Sequence, residues 1–553
     1  MTSPRTAFLF AFAAIAALGV LSPGAARAQE PSAANPPPQG PSTNKPVAPS
    51  SAQTKPKFDI FEYQVEGNTT LDTRSIERAV YPFLGKDKSI DDVEAARAAL
   101  EKAYRDKGYG TVGVDIPEQA VAAHVVVLRV VEGHVESIHV IGAKYYSQGR
   151  ILNTVESLAP GKVPYFPKVQ QELAAVNDSP DRKVTPLLRP GQLPGTTDVD
   201  LEVEDKLPLH GSVQLNNDYT PLTTRTRVVN TLDYDNVFQR EQRLSLLYET
   251  SPEDPAQVEV YSLGYSIPVD GQYLALSYVR SNSATAAGVG DTAIFGRGSI
   301  IGLHDVIPFP AKSEPGVSLS QTISLGFDYK NFEENVTIGP QAGFSTPVTY
   351  VPFTLGYSAT RVARGGQWDW GSSLEFAIRD FRSAASQFDD KRFKALNNFA
   401  ILRWNLARIQ PLPDSYSLFA RMDFQLSDQP LISNEQLVVG GADSVRGYLA
   451  ANETGDSGVH ESFELRSPNL ARGTWPWMTD VRAHVFVDGA YVRILSPLPE
   501  QTASFSLLST GMGLSTKVGS HFSLDLDLGW PLRTVQFTHA GSPRLQASST
   551  VSF

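Results

Sequence analysis

The sequence predicts a transmembrane antiparallel β-barrel of about 16 strands, preceded by two small α+β domains. Three observations predict this fold. The second half of the chain alternates apolar and polar residues through many short segments, whereas the first half mixes helical and strand periodicities. Beyond the N-terminus, no apolar run is long enough to span a bilayer as a helix. At 553 residues the chain is also too long for one core, so several domains are expected.

Residues 1–28 have the pattern of a secretory signal peptide. Arg5 precedes the apolar run from Ala7 to Leu21, and Ala26-Arg27-Ala28 supplies a small-residue cleavage site. The alternative is a membrane anchor, but the run is shorter than the roughly 20 residues that a spanning helix needs. We therefore expect cleavage after Ala28 and export from the cytoplasm.

The composition of the chain excludes further classes of protein. Residues 29–57 are rich in proline, serine and alanine without any alternation, which predicts a flexible linker. The chain has no cysteine, so disulfides are not expected to stabilise it. Its net charge of -11 argues against nucleic-acid binding, which needs a basic face.

Residues 58–133 predict a domain with the order β-α-α-β-β, and residues 134–207 repeat that order more loosely. In the first domain, apolar residues at helical spacing mark a second helix that Ser89 or Asp91 could cap. The run GYGTVG, Gly108 to Gly113, fits the dinucleotide pattern G-x-G-x-x-G. It follows a helix and opens a strand, which is the wrong context for a nucleotide site. We interpret Gly108 as a helix stop.

Several strings in this half carry a family resemblance. VEGNTTL, FLGK, AYRDKGYG, IPEQ and VVEG together resemble a POTRA domain, the polypeptide-binding module of outer-membrane translocases. LRPGQLPGTTDVDLEVED is similar to the end of the second POTRA domain of two-partner secretion transporters. The resemblance implies POTRA 1 at 58–133 and POTRA 2 at 134–207.

Residues 210–553 are dominated by a period of two. In TISLGFDY, for example, Ile323, Leu325, Phe327 and Tyr329 fall on one face. A soluble β-sandwich would also alternate. The membrane barrel is favoured because the pattern runs through many strands without a helix, and aromatic residues often end the apolar face. At roughly 21 residues per strand and connection, these 344 residues accommodate about 16 strands.

The segment from about 428 to 482 is longer than most connections and contains GGADSVRGY, Gly440 to Tyr448. Long loops without regular structure are usually functional or disordered. Glycines give this one flexibility, and its apolar Val445 and Leu449 suit packing better than solvation. A 16-strand barrel leaves a lumen wide enough to hold such a loop.

The run VRGY matches the loop signature of two-partner secretion transporters and of the wider POTRA-barrel superfamily. The resemblance implies that the loop folds back into the lumen and that its arginine pairs with the aspartate of a wall motif, F-x-D-x-G. That motif reads Phe486-Val487-Asp488-Gly489 here, with Ala490 where the family has glycine. The implied loop residues are Gly440, Gly441, Arg446, Gly447 and Tyr448, and the implied wall residues are Phe486, Asp488 and Gly489.

Two alternatives stay open for Arg446. It could be a solvated loop arginine, or it could pair with Asp443, three residues earlier. A bidentate contact with Asp488 would fix orientation as well as distance, because the guanidinium fork matches a carboxylate.

No enzyme is predicted. The sequence has no P-loop, G-x-S-x-G or H-E-x-x-H motif, and its nine histidines lack ligand-like spacing. We therefore expect no catalytic residues, no metal ligands and no cofactor.

The resemblance implies a TpsB-type outer-membrane transporter with periplasmic POTRA domains. Such a protein exports one large, unfolded β-helical passenger of the adhesin or haemolysin class. The alternatives are an outer-membrane protein assembly factor of the same superfamily, and a gated nutrient channel, which would require a plug domain that we do not find.

The sequence also indicates where partners would bind. A POTRA sheet edge can receive an extended passenger segment, and we expect that edge at Thr111, Val112, Val114 and Ile116. The terminal Phe553 resembles the insertion signal of outer-membrane barrels. Expected partners are therefore the passenger and outer-membrane lipid, with the barrel-assembly machinery and periplasmic chaperones during biogenesis.

Overall fold

The computed structural model describes residues 56–120, 124–221, 223–282, 287–289, 292–294, 296–310, 312–314, 316–333, 335–336, 344–471 and 477–553. The predicted signal peptide and almost all of the predicted linker lie outside the described residues. The described chain forms two compact units, which divide between Pro208 and Leu209. None of its described helices is long and apolar enough to cross a membrane.

Residues 58–133 have the predicted β-α-α-β-β order with two short strands added, one before the first long strand and one between the helices. The elements are β1 (Phe58–Ile60), β2 (Glu62–Glu66), α1 (Thr73–Val80), a 3-10 turn (Tyr81–Phe83), β3 (Gly85–Lys88), α2 (Ile90–Asp106), β4 (Val112–Asp115) and β5 (Val125–Glu132). Strands β2, β5 and β4 form a sheet with β5 in the middle, so β4 lies at an edge. Ser89 caps α2 by donating to Asp92 Oδ2 from its N–H (2.8 Å) and its hydroxyl (2.9 Å).

Residues 134–207 have the same arrangement. The elements are β6 (His134–Ile141), α3 (Gln148–Thr154), a 3-10 turn (Glu156–Leu158), α4 (Phe166–Val176), β7 (Arg182–Pro190) and β8 (Thr196–Asp205). Here β8 is the middle strand and β7 lies at an edge. Each segment has a separate apolar core beneath its helices.

Both segments contain the same glycine turn. Gly67 follows β2 with φ +83°, and a Cβ there would lie 2.4 Å from the carbonyl oxygen of Val130. Gly142 follows β6 with φ +92°, and its Cβ would lie 2.5 Å from the carbonyl oxygen of Val203. Only glycine suits such a turn, because the φ is left-handed and the backbone passes too close for a side chain.

Two residues beyond each of these valines, a carboxylate caps the turn. Asp205 accepts the backbone N–H groups of three successive residues, Lys144, Tyr145 and Tyr146. Glu132 accepts both the N–H and the hydroxyl groups of Thr69 and Thr70. The two segments are therefore structural repeats of one another, down to a shared turn.

The glycines of GYGTVG have structural roles. Gly108 has φ +97° and follows the end of α2, as a helix stop does. Its carbonyl accepts the N–H of Phe166 at 2.9 Å, and a Cβ on Gly110 would lie 2.2 Å from the Phe166 ring. These glycines therefore end a helix and receive the start of α4.

The second unit is a closed antiparallel barrel of 16 strands, as predicted. Its strands are β9 (Leu209–Asn216), β10 (Arg227–Val237), β11 (Gln242–Thr250), β12 (Glu259–Val269), β13 (Gln272–Ser281), β14 (Gly298–Pro308), β15 (Val317–Phe332), β16 (Pro352–Ala363), β17 (Gly366–Ala377), β18 (Ala400–Pro411), β19 (Ser417–Ser427), β20 (Ser457–Arg466), β21 (Met478–Arg493), β22 (Ser504–Val518), β23 (Phe522–Pro531) and β24 (Arg544–Ser552).

The connections carry shorter elements. These are α5 (Ala385–Lys391), two 3-10 turns (Pro413–Ser415 and Ser433–Glu435), and the short strands Ala287–Val289, Thr292–Ile294, Lys312–Glu314, Asn335–Val336, Phe344–Ser345, Val348–Tyr350, Leu437–Val439 and Glu453–Gly455. Because the number of antiparallel strands is even, the first strand begins and the last strand ends at the same rim of the barrel, which we call the N-terminal rim. The other is the distal rim.

The predicted alternation separates outside from lumen. On β15, Leu325, Phe327 and Tyr329 are 47%, 41% and 41% exposed on the outer surface, whereas Asp328 and Lys330 are buried inside. An outer surface of this kind suits lipid, since apolar side chains meet hydrocarbon and every strand is paired.

The barrel closes between β9 and β24, next to the C-terminal residue. Phe553 exchanges backbone hydrogen bonds with Gly211 at 3.0 and 3.2 Å. A Cβ on Gly211 would lie 2.5 Å from the Phe553 ring, so the ring lies directly over this glycine. The terminal phenylalanine is thus part of the closing contact.

The prediction of one long loop at about 428–482 is wrong for its second half. Ser457–Arg466 forms the barrel strand β20, and β21 begins at Met478. The lumen face of β20 carries His460, Ser462 and Glu464, and its outer face includes Glu461, so its sequence reads as polar. The loop itself is residues 428–456, which we call the lumen loop.

Glu132 provides a test of the repeated turn. Burial raises the pKa of its carboxyl, but the hydrogen bonds from Thr69 and Thr70 outweigh burial and hold the pKa below its usual value. We expect Glu132→Gln to lower the free energy of unfolding of a 56–208 fragment by about 1–3 kcal/mol at pH 7. Urea denaturation followed by circular dichroism measures this change.

The lowered pKa of Glu132 determines how the stability difference between wild type and Glu132→Gln changes with pH. A carboxyl whose pKa is lower when folded stabilises the fold above its unfolded pKa, and this stabilisation is lost as pH falls through the folded pKa. The difference between wild type and Glu132→Gln should therefore shrink below about pH 4.5. Glu62→Gln, an exposed change on β2 of the same sheet, is the control. Equal stability of Glu132→Gln and Glu62→Gln at pH 7 would contradict the role of the carboxylate.

Candidate functional site

The lumen loop enters the barrel as a hairpin. Its two arms, Leu437–Val439 and Glu453–Gly455, pair antiparallel with one another. Between them lies the tip, which contains GGADSVRGY. Gly440 has φ +106° and its N–H donates to Ser444 Oγ at 2.7 Å, while a Cβ there would lie 2.5 Å from the Leu449 carbonyl oxygen. Glycine is required at this bend for both reasons.

Arg446 lies at the tip and contacts the barrel wall. Its Nε donates to Asp488 Oδ2 at 2.8 Å and its Nη2 donates to Asp488 Oδ1 at 3.0 Å, which is a bidentate pair. Its Nη1 donates to Glu464 Oε2 at 2.9 Å. The guanidinium also lies 3.5 Å from the centre of the Phe486 ring. We call this set, with Ser462, the tip anchor.

Asp488 is fully buried, so its charge depends on these partners. Besides the guanidinium, it accepts the backbone N–H of Arg446 at 3.1 Å and the Ser462 hydroxyl at 2.7 Å. Removing one partner of a buried, hydrogen-bonded pair typically costs about 3–5 kcal/mol, because the other charge is left unpaired. The tip anchor therefore holds the loop firmly while its partners remain in place.

The structure brings Arg446 to Asp488 and not to Asp443. The Asp443 side chain is exposed, and among the described contacts it makes none with Arg446. Arg446 itself is 7% exposed, which also excludes a solvated loop arginine. The three acids facing it all come from the wall: Asp488, Glu464 and Asp527, the last at 3.5 Å.

Sequence reasoning missed Glu464, Asp527 and Ser462. Glu464 and Ser462 lie on β20, which was interpreted as loop, so their inward direction was not visible. Asp527 lies on β23, where the alternation of HFSLDLDLGW does place it on the polar face. The signal was present, but no motif connected it to Arg446.

The loop tip lies against bare backbone at Gly529 of β23. A Cβ on Gly529 would lie 2.6 Å from Gly447 N and 2.8 Å from Arg446 C, and Gly447 has φ +90°. Two glycines thus let the two backbones touch. Gly447 N–H also donates to Gln546 Oε1 at 3.0 Å, which joins the tip to β24.

An apolar cluster supports the tip anchor. Tyr448 is fully buried and its hydroxyl lies 2.8 Å from the Arg533 carbonyl oxygen. The cluster includes Ala490, the residue that stands where the family pattern has glycine, so its methyl group fills space beside Tyr448 and Val445. Gly489 points away from the loop, and a Cβ there would approach only Leu508, at 3.7 Å.

Two family models match parts of this chain. The family model "POTRA domain, ShlB-type" matches residues 58–133, and the model "Haemolysin secretion/activation protein ShlB/FhaC/HecB" matches residues 195–300 and 323–516. The outer membrane transporter CdiB of Dickeya dadantii is 23% identical over 502 residues, covering 88% of this chain and 85% of that protein.

Two further comparisons point the same way. The heme/hemopexin transporter protein HuxB of Haemophilus influenzae is 21% identical over 516 residues, covering 88% of this chain and 86% of that protein. The structure of CdiB from Escherichia coli aligns with a TM-score of 0.61 at 21% identity, over 92% of this chain and 93% of that chain. At this identity the structural likeness shows the fold.

A POTRA domain followed by a closed barrel whose lumen holds an anchored loop defines an outer-membrane protein transporter. The matched models cover more than half of the chain. The chain belongs to the haemolysin secretion/activation protein family ShlB/FhaC/HecB. Its barrel lies in the outer membrane, its POTRA domain lies in the periplasm, and it secretes a partner protein.

Gly529→Ala tests the position of the loop tip. The added methyl group would collide with the backbone of Gly447, so we expect the tip anchor to weaken by about 1–3 kcal/mol. The chain has no cysteine, so a Val445→Cys reporter, buried in wild type, can be labelled selectively. Labelling with a thiol reagent should be faster in the Gly529→Ala background.

Gly489→Ala is the matched control, because its Cβ meets only ordinary van der Waals contact. It should label at the wild-type rate. If the two alanine variants label at the same rate, the tip does not lie against Gly529.

Proposed function

We propose that the protein exports one large, unfolded β-helical passenger of the adhesin or haemolysin class through its barrel. The observation that carries this proposal is the lumen loop. It occupies the lumen of a 16-strand barrel, a size that leaves a channel, and its tip is bound to the wall by hydrogen-bonded charges. CdiB and HuxB, the named relatives, are transporters.

The N-terminal unit is proposed to receive the passenger through two POTRA domains, at 58–133 and 134–207. The repeated glycine turn and carboxylate support the second assignment. Because β9 begins directly after Pro208, the N-terminal rim is proposed to face the periplasm. The distal rim would then be the exit.

The edge of β4 is suited to bind an extended segment. The side chain of Gln119, which follows β4 in the chain, hydrogen-bonds the backbone N–H and carbonyl of Val127 at 2.7 and 2.8 Å. The backbone groups of Val127 on β5 therefore point towards β4. Because the direction of the backbone groups alternates along a strand, the N–H and carbonyl groups of Gly113 and Asp115 are the ones that hydrogen-bond to β5. The outward-facing backbone groups of β4 belong to Val112 and Val114, two of the residues that the sequence predicts for this edge.

The equivalent edge of β7 is blocked. Gly191 N–H donates to the Thr196 carbonyl at 3.0 Å, so the odd-numbered residues of this strand bond to β8. Because the backbone groups alternate in direction, those of the even-numbered residues of β7 point away from the sheet. Pro186 and Pro190 are therefore outward-facing and have no N–H to donate. Prolines on an edge strand prevent strand addition. The first domain, and not the second, is thus the proposed site of passenger pairing.

Cysteines at exposed positions of the two edge strands test this difference. Gly113→Cys on β4 and Thr185→Cys on β7 both place an exposed thiol on an edge strand, and a Cβ on Gly113 meets nothing within 4 Å. An added strand lies about 5 Å away. Disulfide trapping against a cysteine-scanned passenger should therefore succeed at 113 and fail at 185. Trapping at both positions, or only at 185, would overturn the assignment.

Depleting the protein distinguishes secretion from the assembly function. We expect one secreted protein to be retained in the periplasm while other outer-membrane barrels keep their normal levels. A broad loss of barrels would instead indicate an assembly factor. The barrel-assembly machinery, periplasmic chaperones and outer-membrane lipid are the proposed partners in biogenesis, with Phe553 at the barrel closure as the proposed insertion signal.

A further inference from the structure

We infer that Glu435 is a second positioning residue, which fixes the base of the lumen loop to a different part of the barrel wall from the tip anchor. The inference rests on the proposed function only in assuming that the loop must leave the pore during export. It is carried by a cluster of buried charges that no part of the tip anchor touches.

Glu435 ends the 3-10 turn Ser433–Glu435 at the start of the loop. Its carboxylate accepts hydrogen bonds from Lys330 Nζ at 2.7 Å and from the Tyr350 hydroxyl. Arg403 Nη2 lies 3.5 Å from its second oxygen. One acidic side chain of the loop is therefore bound by two wall residues, Lys330 and Arg403, and by Tyr350 of the connection between β15 and β16.

A second acid completes the cluster. Glu375 on β17 accepts from Lys330 Nζ at 2.8 Å and from Arg403. Glu435 is 2% exposed, and Lys330 and Glu375 are 8% and 5% exposed. Two acids and two bases thus balance in a site where only the Arg403 side chain, 37% exposed, reaches solvent, and where an unpaired buried charge is costly. We call this set, with Tyr350, the base anchor.

The backbone of the loop base is held at the same place. Gln425 on β19 donates to the Glu435 carbonyl at 3.0 Å and to the Asp456 carbonyl at 3.2 Å, so it joins the start of the loop to its end. The Gln425 side-chain oxygen accepts from Arg403 Nε at 2.9 Å. Gln425 therefore joins the residues just before and just after the two arms to Arg403 of the base anchor.

The base anchor also connects the loop to an apolar cluster near the distal rim. The Tyr350 ring packs against Phe388 of α5 and against Phe399, with ring centres 5.3 and 6.0 Å away. Leu431 and Ile432, the loop residues before the turn, are buried in the same cluster. Moving Glu435 would thus disturb the connection 378–399, which carries α5, together with the loop.

The two anchors use different strands. The tip anchor uses β20 and β21, whereas the base anchor uses β15, β17 and β18. Releasing Arg446 alone would leave the base in place. Clearing the pore therefore requires both charge sets to separate.

Glu435→Gln tests the base anchor in the full-length protein inserted in membranes. The variant leaves two cations, the buried Lys330 and the partly exposed Arg403, against the single carboxylate of Glu375. A Val439→Cys reporter in the loop arm is fully buried in wild type, and the chain has no other cysteine. We expect a membrane-impermeant thiol reagent to label this position about tenfold faster or more, because an unpaired buried charge favours release.

Three further variants sharpen the result. Glu500→Gln, the same change at an exposed site in the connection 494–503, should label at the wild-type rate. Glu435→Gln combined with Lys330→Met restores charge balance and should reduce labelling towards wild type, which a general packing defect would not do. Tyr350→Phe keeps the ring and removes one hydroxyl, so it should raise labelling about fivefold even if Glu435→Gln fails to insert.

Labelling of Glu435→Gln within twofold of Glu500→Gln would overturn the inference. So would the absence of any effect of Tyr350→Phe if Glu435→Gln does not insert. No passenger is present in this experiment, so its outcome is independent of what the protein exports. Failure of the proposed function would appear in the depletion experiment and would leave the labelling result unchanged.

Discussion

The constraint on which the rest of the structure depends is that a strand in a bilayer must have every backbone polar group paired. A sheet can satisfy this only by closing on itself. Closure with 16 strands then creates a lumen too wide for wall side chains to fill. The lumen loop fills part of that space, and the charged residues of the wall become its binding partners. Loop, anchors and pore are thus consequences of one requirement on the backbone.

Each charged side chain that anchors the loop inside the lumen is bound by several partners of the barrel. Arg446 is bound by Asp488 and Glu464 and lies against the Phe486 ring, and Glu435 is bound by Lys330, Arg403 and Tyr350. Each set supplies several hydrogen bonds for each charge, which offsets the cost of removing it from water. Because the partners lie on different strands, each set also fixes the position of the loop relative to the barrel.

The fold could be predicted from the sequence because period-two alternation is strong wherever one strand face meets lipid, as on β15. Prediction failed at β20, because the loop packs on its lumen face and a glutamate interrupts its outer face. The pair Arg446 and Asp488 could be predicted because both residues lie in recognisable motifs. Glu435 could not, since it lies in a turn without a motif and its partners are more than 30 residues away along the chain.

Polar anchors suit a loop that we propose leaves the pore during export. Exposing a fully buried Val or Tyr side chain to water costs about 1.5–3 kcal/mol, and water offers nothing in return. A hydrogen bond between neutral groups that separates into water loses only about 0.5–1.5 kcal/mol, and one to a charged group about 1.5–3 kcal/mol, because water replaces the missing partner. Two apolar clusters also hold the loop, one at its tip and one that buries Leu431 and Ile432 at its base. The hydrogen-bonded charges are therefore the part of the attachment that water or an entering chain can replace.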